Sequence, residues 1–220
     1  MKNSKQDSVC HRDFDQMRKP IRIGLGGPVG TGKTSTLVSL CKALSNRFSL
    51  GVVTNDIFSQ EDAMHVVHSG AIEQDRVIGV ETGGCPHTAI REDVSMNTQA
   101  IKTLENRYND LDLIFIESGG DNLAATFSPD LVDSHIYIIS VADGADIPRK
   151  GGPGIEKSPM LIVNKTDLAP YVRVDIEQMK MDTTTARKGK PFIFCDMLNG
   201  DGVAELISWI ETHVLLLEKN

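Results

Sequence analysis

Cysteine is sparse in this sequence, and none of it is paired. Cys10, Cys41, Cys85 and Cys195 are far apart, so no disulfide framework is indicated and a reducing compartment, the cytosol, is expected. Basic residues are outnumbered, 23 against 30 acidic, for a net charge of −7. An acidic chain has no general attraction for a phosphate backbone, and the longest basic cluster, Arg187, Lys188 and Lys190, is short and reads as a solvated loop. Nucleic acid is therefore not an expected partner. No apolar run reaches the roughly 20 residues of a membrane span, and the polar first 20 residues lack the apolar stretch of a secretory signal. They read as a flexible arm, 1–20, followed by one domain over 21–220.

What the sequence does have is alternation. Short apolar runs at Ile21–Leu25, Gly51–Thr54, Val77–Val80, Leu113–Glu117, Ile136–Val141, Met160–Val163 and Phe192–Cys195 are strand candidates. Several are rich in Ile and Val with few polar interruptions, as strands buried on both faces must be. Longer amphipathic stretches lie between them: Lys33–Asn46, Gln60–Ser69, His87–Arg107, Val172–Thr184 and Gly202–Leu217. In the last of these, Val203, Leu206, Ile207, Ile210, Val214 and Leu217 recur at helical spacing and form one face. Strands alternating with helices predict an α/β fold, a doubly wound and mostly parallel sheet with helices on both faces.

The segment Gly27-Pro28-Val29-Gly30-Thr31-Gly32-Lys33-Thr34-Ser35 contains the pattern G-x-x-x-x-G-K-[ST] between a strand and a helix. Its glycines let successive backbone N–H groups turn toward a phosphate, and the helix beginning near Lys33 adds the positive end of its dipole. Lys33 supplies a cation for the β- and γ-phosphates. The Thr34 hydroxyl is a hard ligand for Mg²⁺. Asn164-Lys165-Thr166-Asp167 closes a later strand. A carboxylate at Asp167 can accept both N1–H and N2–H₂ of guanine, Asn164 can reach the purine's other edge, and the Lys165 stem can lie over the ring. Adenine would leave that carboxylate unpaired, so the expected nucleotide is GTP. A second base-side loop is expected at Asp196-Met197-Leu198.

Two further segments end strands on the ligand side of such a sheet. Thr54-Asn55-Asp56 is followed by Glu61, and Glu117-Ser118-Gly119-Gly120-Asp121-Asn122 follows another strand. A carboxylate at either place could hold Mg²⁺, and each could equally cap the next helix. Lys33, Asp56 and Glu117 are the candidate catalytic residues. No Gln is clearly placed to orient a water and Arg149 is a weak finger candidate, so slow intrinsic hydrolysis is expected. The turn Glu81-Thr82-Gly83-Gly84-Cys85-Pro86-His87 sets a thiol and an imidazole on one stiff loop. A pair of such turns across a two-fold axis would offer Zn²⁺ or Ni²⁺ two sulfur and two nitrogen ligands. A buried thiol beside a helix-capping residue is the plainer alternative.

With these motifs in place, the sequence from about Pro20 onward resembles the UreG family of urease accessory GTPases, the nickel-dependent group among the metal-insertion P-loop GTPases. The resemblance is carried by GGPVGTGKTS, VVTNDIFSQEDA, ETGGCPHTAIREDVS, FIESGGDNLAATFSPDL, IPRKGGPGI and NKTDLAP. It implies GTP and Mg²⁺ on the loop Gly27–Thr34, with Asp56, Glu61 and Glu117 in the metal-facing switch segments. It also implies one Ni²⁺ shared by Cys85 and His87 of two protomers in a homodimer. GTP hydrolysis would release that Ni²⁺ to apo-urease, with a nickel metallochaperone and two scaffold proteins as partners. Asp146 stands where a lysine is expected, and Cys195-Asp196-Met197-Leu198 where a Thr-Asn-like pair is expected. Service to another nickel enzyme and a non-hydrolysing, nucleotide-stabilised nickel carrier are the alternatives.

Overall fold

The computed structural model describes residues 19–56, 61–83, 87–120, 123 and 126–217. Seven strands form one sheet in the order β3-β2-β4-β1-β5-β6-β7, where β1 is Ile21–Gly26, β2 Leu50–Asp56, β3 Val77–Glu81, β4 Leu113–Glu117, β5 Ser134–Ser140, β6 Met160–Asn164 and β7 Phe192–Phe194. Every strand pairing is parallel. The helices between them are α1 (Lys33–Leu44), α2 (Glu61–His68), α3 (Ser95–Arg107), α4 (Ile147–Lys150), α5 (Pro153–Lys157), α6 (Ala169–Val172), α7 (Ile176–Arg187) and α8 (Val203–Trp209). Each predicted strand is present, with ends shifted by two residues or fewer. None of the described helices is long and apolar enough to cross a membrane.

The period-two geometry of a strand sends alternate side chains to opposite faces, and here both faces are covered. Leu113 and Phe115 of β4 and Ile136 and Ile138 of β5 pack with Leu37, Leu40 and Leu44 of α1 and Leu206 and Ile210 at the C-terminal end. Ile114 and Ile116 turn the other way, onto Ile101 and Leu104 of α3. Tyr137 and Ile139 meet Leu161, Val163 and Met179 of α7. That is the doubly wound arrangement, and it explains why the strands read as unbroken apolar runs.

Three features depart from the sequence reading. The helix expected over His87–Arg107 is broken: a π-helical turn, Thr88–Glu92, ends at Asp93, and α3 begins at Ser95. The C-terminal helix likewise passes into a π turn at Ile210–Val214, where Leu215 N–H donates to Ile210 O at 2.9 Å. The extra residue in that turn rotates the apolar face, so Leu215 packs on the core and Leu217 is left exposed. Arg187 is not in a solvated loop. It is the last residue of α7, 1% exposed, and its guanidinium donates to the carbonyls of Ile155 (2.6 Å), Ser158 (2.8 Å), Pro159 (3.2 Å) and Pro191 (2.7 Å). Burial lowers its pKa to about 10, which still leaves it charged at neutral pH. Lys188 and Lys190, beside it, are exposed.

This cage ties the α5–β6 connection to the start of β7, which an apolar side chain cannot do. Arg187→Met is expected to cost about 3–5 kcal/mol in urea unfolding, since several buried carbonyls lose a charged donor together. A loss below about 1 kcal/mol would show that the cage is not structural.

Candidate nucleotide site

The chain leaves β1 directly into the glycine-rich loop. Gly27 has φ 146°, and a Cβ there would come within 2.0 Å of the Ile138 carbonyl oxygen on β5. Gly32 has φ 93°, and a Cβ there would sit 2.4 Å from Asn164 Nδ2. Both positions therefore require glycine, because the loop is pressed against neighbouring strands. Gly32 is the N-cap of α1, it makes no side-chain cap, and the first turn carries no acidic residue. The opening N–H groups of α1 are thus left to an anion. Within the loop, the Thr31 hydroxyl donates to Pro28 O at 2.9 Å and Lys33 Nζ to the same oxygen at 3.0 Å.

A cavity of about 420 Å³ opens over this loop, lined by Val29, Gly30, Gly32, Lys33, Thr34 and Ser35, and closed by Asp56, Asp62, Glu117, Gly120 and Lys165. A second, of about 260 Å³, shares Gly32, Ser35 and Lys165 with it and continues past Asn164, Asp167 and Leu168 to Asp196 and Leu198. The cradle and the base motif, 130 residues apart in sequence, therefore face one groove at the carboxyl ends of β1 and β6. A larger cavity of about 610 Å³, lined by Phe48, Leu50, Ala71 and Arg76, lies at the other end of β2 and lacks such a cradle.

The acidic end of the groove carries its sharpest electrostatic feature. Glu117 is fully buried at the end of β4. The Thr34 hydroxyl lies 2.7 Å from Glu117 Oε1 and 3.1 Å from Asp62 Oδ1, and with one hydrogen it donates to one at a time. Glu117 Oε2 has no hydrogen-bond partner among the described residues. Burial first, then the nearby Asp62 charge, push the Glu117 carboxyl up to about 8, against smaller opposing effects of Thr34 and Lys33. An orphaned buried carboxylate oxygen, a hydroxyl and two further carboxylates (Asp56 and Asp62) fit a small hard cation. Among the described residues no three His, Cys, Asp or Glu side chains make a self-sufficient metal site. Mg²⁺, the cation expected from the sequence, takes one or two protein oxygens and fills its remaining positions from phosphate and water.

Several predicted residues do other work here. Asn164, offered for the purine edge, is 2% exposed; its Nδ2 donates to Thr31 O (2.9 Å) and its Oδ1 accepts from Met197 N–H (3.0 Å). It fastens the phosphate loop and the Asp196-Met197-Leu198 loop to β6. Asp196 caps its own turn, accepting from Leu198 and Asn199 N–H. Lys165, at φ 61°, reaches back to Gly30 O at 2.5 Å and borders both cavities. Asp167 is exposed on the rim of the smaller one. Glu61 is the exposed first residue of α2 and does not border the cavity; Asp62, not singled out from sequence, does. Arg149 lies beside Asp182, and Asp146 pairs with Lys150 Nζ at 2.8 Å; neither lines the groove. His87 is half-buried at the start of the π turn, and Cys85, Asp121 and Asn122 lie outside the described residues, as do Cys10 and His11.

Fold and groove together define a P-loop nucleotide-binding protein. The chain belongs to the CobW/HypB/UreG nucleotide-binding domain family, which matches residues 21–194. Among solved structures it is similar to the hydrogenase maturation factor HypB from Archaeoglobus fulgidus, at 24% identity and a TM-score of 0.68, covering 88% of this chain and 89% of that one. It is also similar to HypB from Helicobacter pylori, solved in complex with nickel, at 21% identity and a TM-score of 0.73, covering 92% and 91%. The signal recognition particle receptor FtsY from Elizabethkingia anophelis matches less well, at 15% identity and a TM-score of 0.51 over 80% of this chain and 58% of that one. At these identities the likeness is one of fold.

The strained carboxyl makes a pH prediction. Its folded value, about 8, is above its ordinary 4.5, so its own contribution to stability is complete below pH 4.5 and is lost as pH rises to about 8. Over that window the unfolded chain releases a proton that the folded chain retains, a slope of at most about 1.4 kcal/mol per pH unit. Glu117→Gln removes the slope. The nucleotide-free variant should therefore melt higher than wild type at pH 8 and not at pH 5; parallel curves would contradict the burial argument.

Proposed function

We propose that this protein is a GTPase that delivers nickel during urease maturation. The observation that carries the reading is the single groove joining the Lys33–Thr34 cradle to Asp167, flanked by the buried Glu117 carboxyl. GTP would lay its phosphates along Gly27–Ser35 and its base against Lys165 and Asp167, with Asn164 holding the wall behind. Lys33 would leave Pro28 O for the β- and γ-oxygens. Thr34 and Asp56, with Glu117 and Asp62 behind them, would hold Mg²⁺, which when bound neutralises charge on those oxygens. Glu61, exposed beside Asp62 at the head of α2, would belong to the adjoining switch segment.

In hydrolysis a water attacks the γ-phosphorus, the bond to the β-bridging oxygen breaks, and GDP and phosphate leave. Asp56, on the cavity wall, would orient that water. The intrinsic reaction would be slow, with a partner accelerating it. Nickel is the cargo. Cys85 and His87 from two protomers would give it two thiolates and two imidazoles, a set suited to square-planar Ni²⁺. Loss of the γ-phosphate would open that site and pass the ion to apo-urease, seated by a nickel metallochaperone and two scaffold proteins. The HypB from Helicobacter pylori solved with nickel supports nickel as the metal. The same likeness favours one second reading, a sister GTPase with another nickel enzyme as client.

Light scattering with a non-hydrolysable GTP analogue and Ni²⁺, added singly and together, tests the proposal on wild type and Cys85→Ala. A dimer that requires both ligands and is absent in Cys85→Ala is expected. A wild type that stays monomeric with both would remove the shared-nickel mechanism and leave nucleotide binding standing.

A further inference from the structure

Behind the groove, two asparagines lie completely buried. Asn55, on β2 immediately before Asp56, and Asn97, in the first turn of α3, are both 0% exposed. Asn55 Nδ2 donates to Asn97 Oδ1 at 3.0 Å, and Asn97 Nδ2 donates back to Asn55 Oδ1 at 2.9 Å. The ring of two amides has one bond to spare at each end. Asn55 Nδ2 also donates to the main-chain oxygen of Glu117 at 2.9 Å, and Asn97 Nδ2 to that of Ala89, again at 2.9 Å. Both amides therefore have all their hydrogens and both oxygens engaged.

The two ends of this clasp are different parts of the molecule. One is Glu117, whose carboxyl meets the Thr34 hydroxyl of the phosphate loop. The other is the π-helical turn Thr88–Glu92, entered directly from His87. That turn has a further hold on the chain after β4: Ser128 N–H donates to Ile90 O at 2.8 Å, and Arg91 Nη1 to Thr126 Oγ1 at 2.7 Å. Ile90 itself is buried against the α3 side of the sheet. π-helical turns are uncommon and gather where function needs a backbone re-aimed.

From this geometry we infer that Asn55 and Asn97 are positioning residues that couple the carboxylate end of the nucleotide cavity to the turn bearing His87. The physical reason is that buried amides cannot exchange a lost partner for water. When the ends of β2 and β4 shift on the phosphates, Ala89 must follow or a buried bond must be left unmade. The inference rests on the nucleotide reading above and not on the identity of the metal or client.

Hydrogen exchange on the full chain, with and without Mg²⁺ and a β,γ-imido analogue of GTP, tests it. In wild type the ligand should slow exchange at 27–37 and, by about tenfold or more, at 87–93. In Asn97→Ala the slowing at 27–37 should persist, with analogue affinity within about threefold of wild type, while that at 87–93 falls below about twofold. Asn97→Ser, which keeps a hydroxyl donor in the cavity left by the amide, carries the same expectation should the alanine variant fail to fold. Slowing at 87–93 that survives in either folded variant, or that is missing in wild type while present at 27–37, overturns the coupling. No slowing at 27–37 in wild type would overturn the nucleotide reading and the coupling with it.

Discussion

The Glu117 carboxyl is held in complete burial with one oxygen beside the Thr34 hydroxyl and the other without a hydrogen-bond partner among the described residues. A folded chain tolerates such a group only if something else in its working cycle compensates it. Its place is fixed by the sheet: β4 sits between β1 and β2, so the end of β4 emerges against the phosphate loop on one side and Asp56 on the other. Glu117 and the carboxylates of Asp56 and Asp62, from distant parts of the sequence, thereby share one acidic wall. The loop's glycines, the uncapped start of α1 and Lys33 all border the same cavity, an arrangement suited to an anion.

Thr34, Asp62 and the buried Glu117 carboxyl form one hydrogen-bonded cluster at that wall. The amide clasp of Asn55 and Asn97 stands behind the wall with no slack in its bonds. A change at Glu117 thus has a defined mechanical neighbour. Coupling of this kind needs only a discrete alternative arrangement at each end, not a large motion.

How far the sequence speaks depends on what kind of information a site uses. The central strands, covered on both faces, are largely apolar, and the half-buried edge strands β3 and β7 are short apolar runs too, so all seven were legible, as was a cradle whose glycines are demanded by close backbone approach at Gly27 and Gly32. A π turn, by contrast, adds a residue without changing composition, and it moved Leu217 off the apolar face and broke the helix at Asp93. Glu61 and Asp62 are adjacent carboxylates on one helix, a hundred degrees apart in an ideal turn. Only the start of α2 decides that Asp62 faces the cavity. Arg187 read as one of three surface cations because its partners are carbonyls, and carbonyls leave no mark in a sequence. The structural roles of Asn164 and Asn97 were hidden for the same reason, one behind a base motif and the other inside a helix whose apolar face alone the sequence marks.

Whether Glu117 is the cation-facing hinge of the site can be read from protons. Binding of Mg²⁺ with a non-hydrolysable GTP analogue is measured by calorimetry at pH 7 in buffers of different ionisation enthalpy, on wild type and Glu117→Gln. A carboxyl raised to about 8 is largely protonated in the free protein, so wild type should release close to one proton more per site than the glutamine variant. Equal proton release by the two proteins would mean that Glu117 does not change ionisation when the groove fills, and the central place given to it here would be wrong.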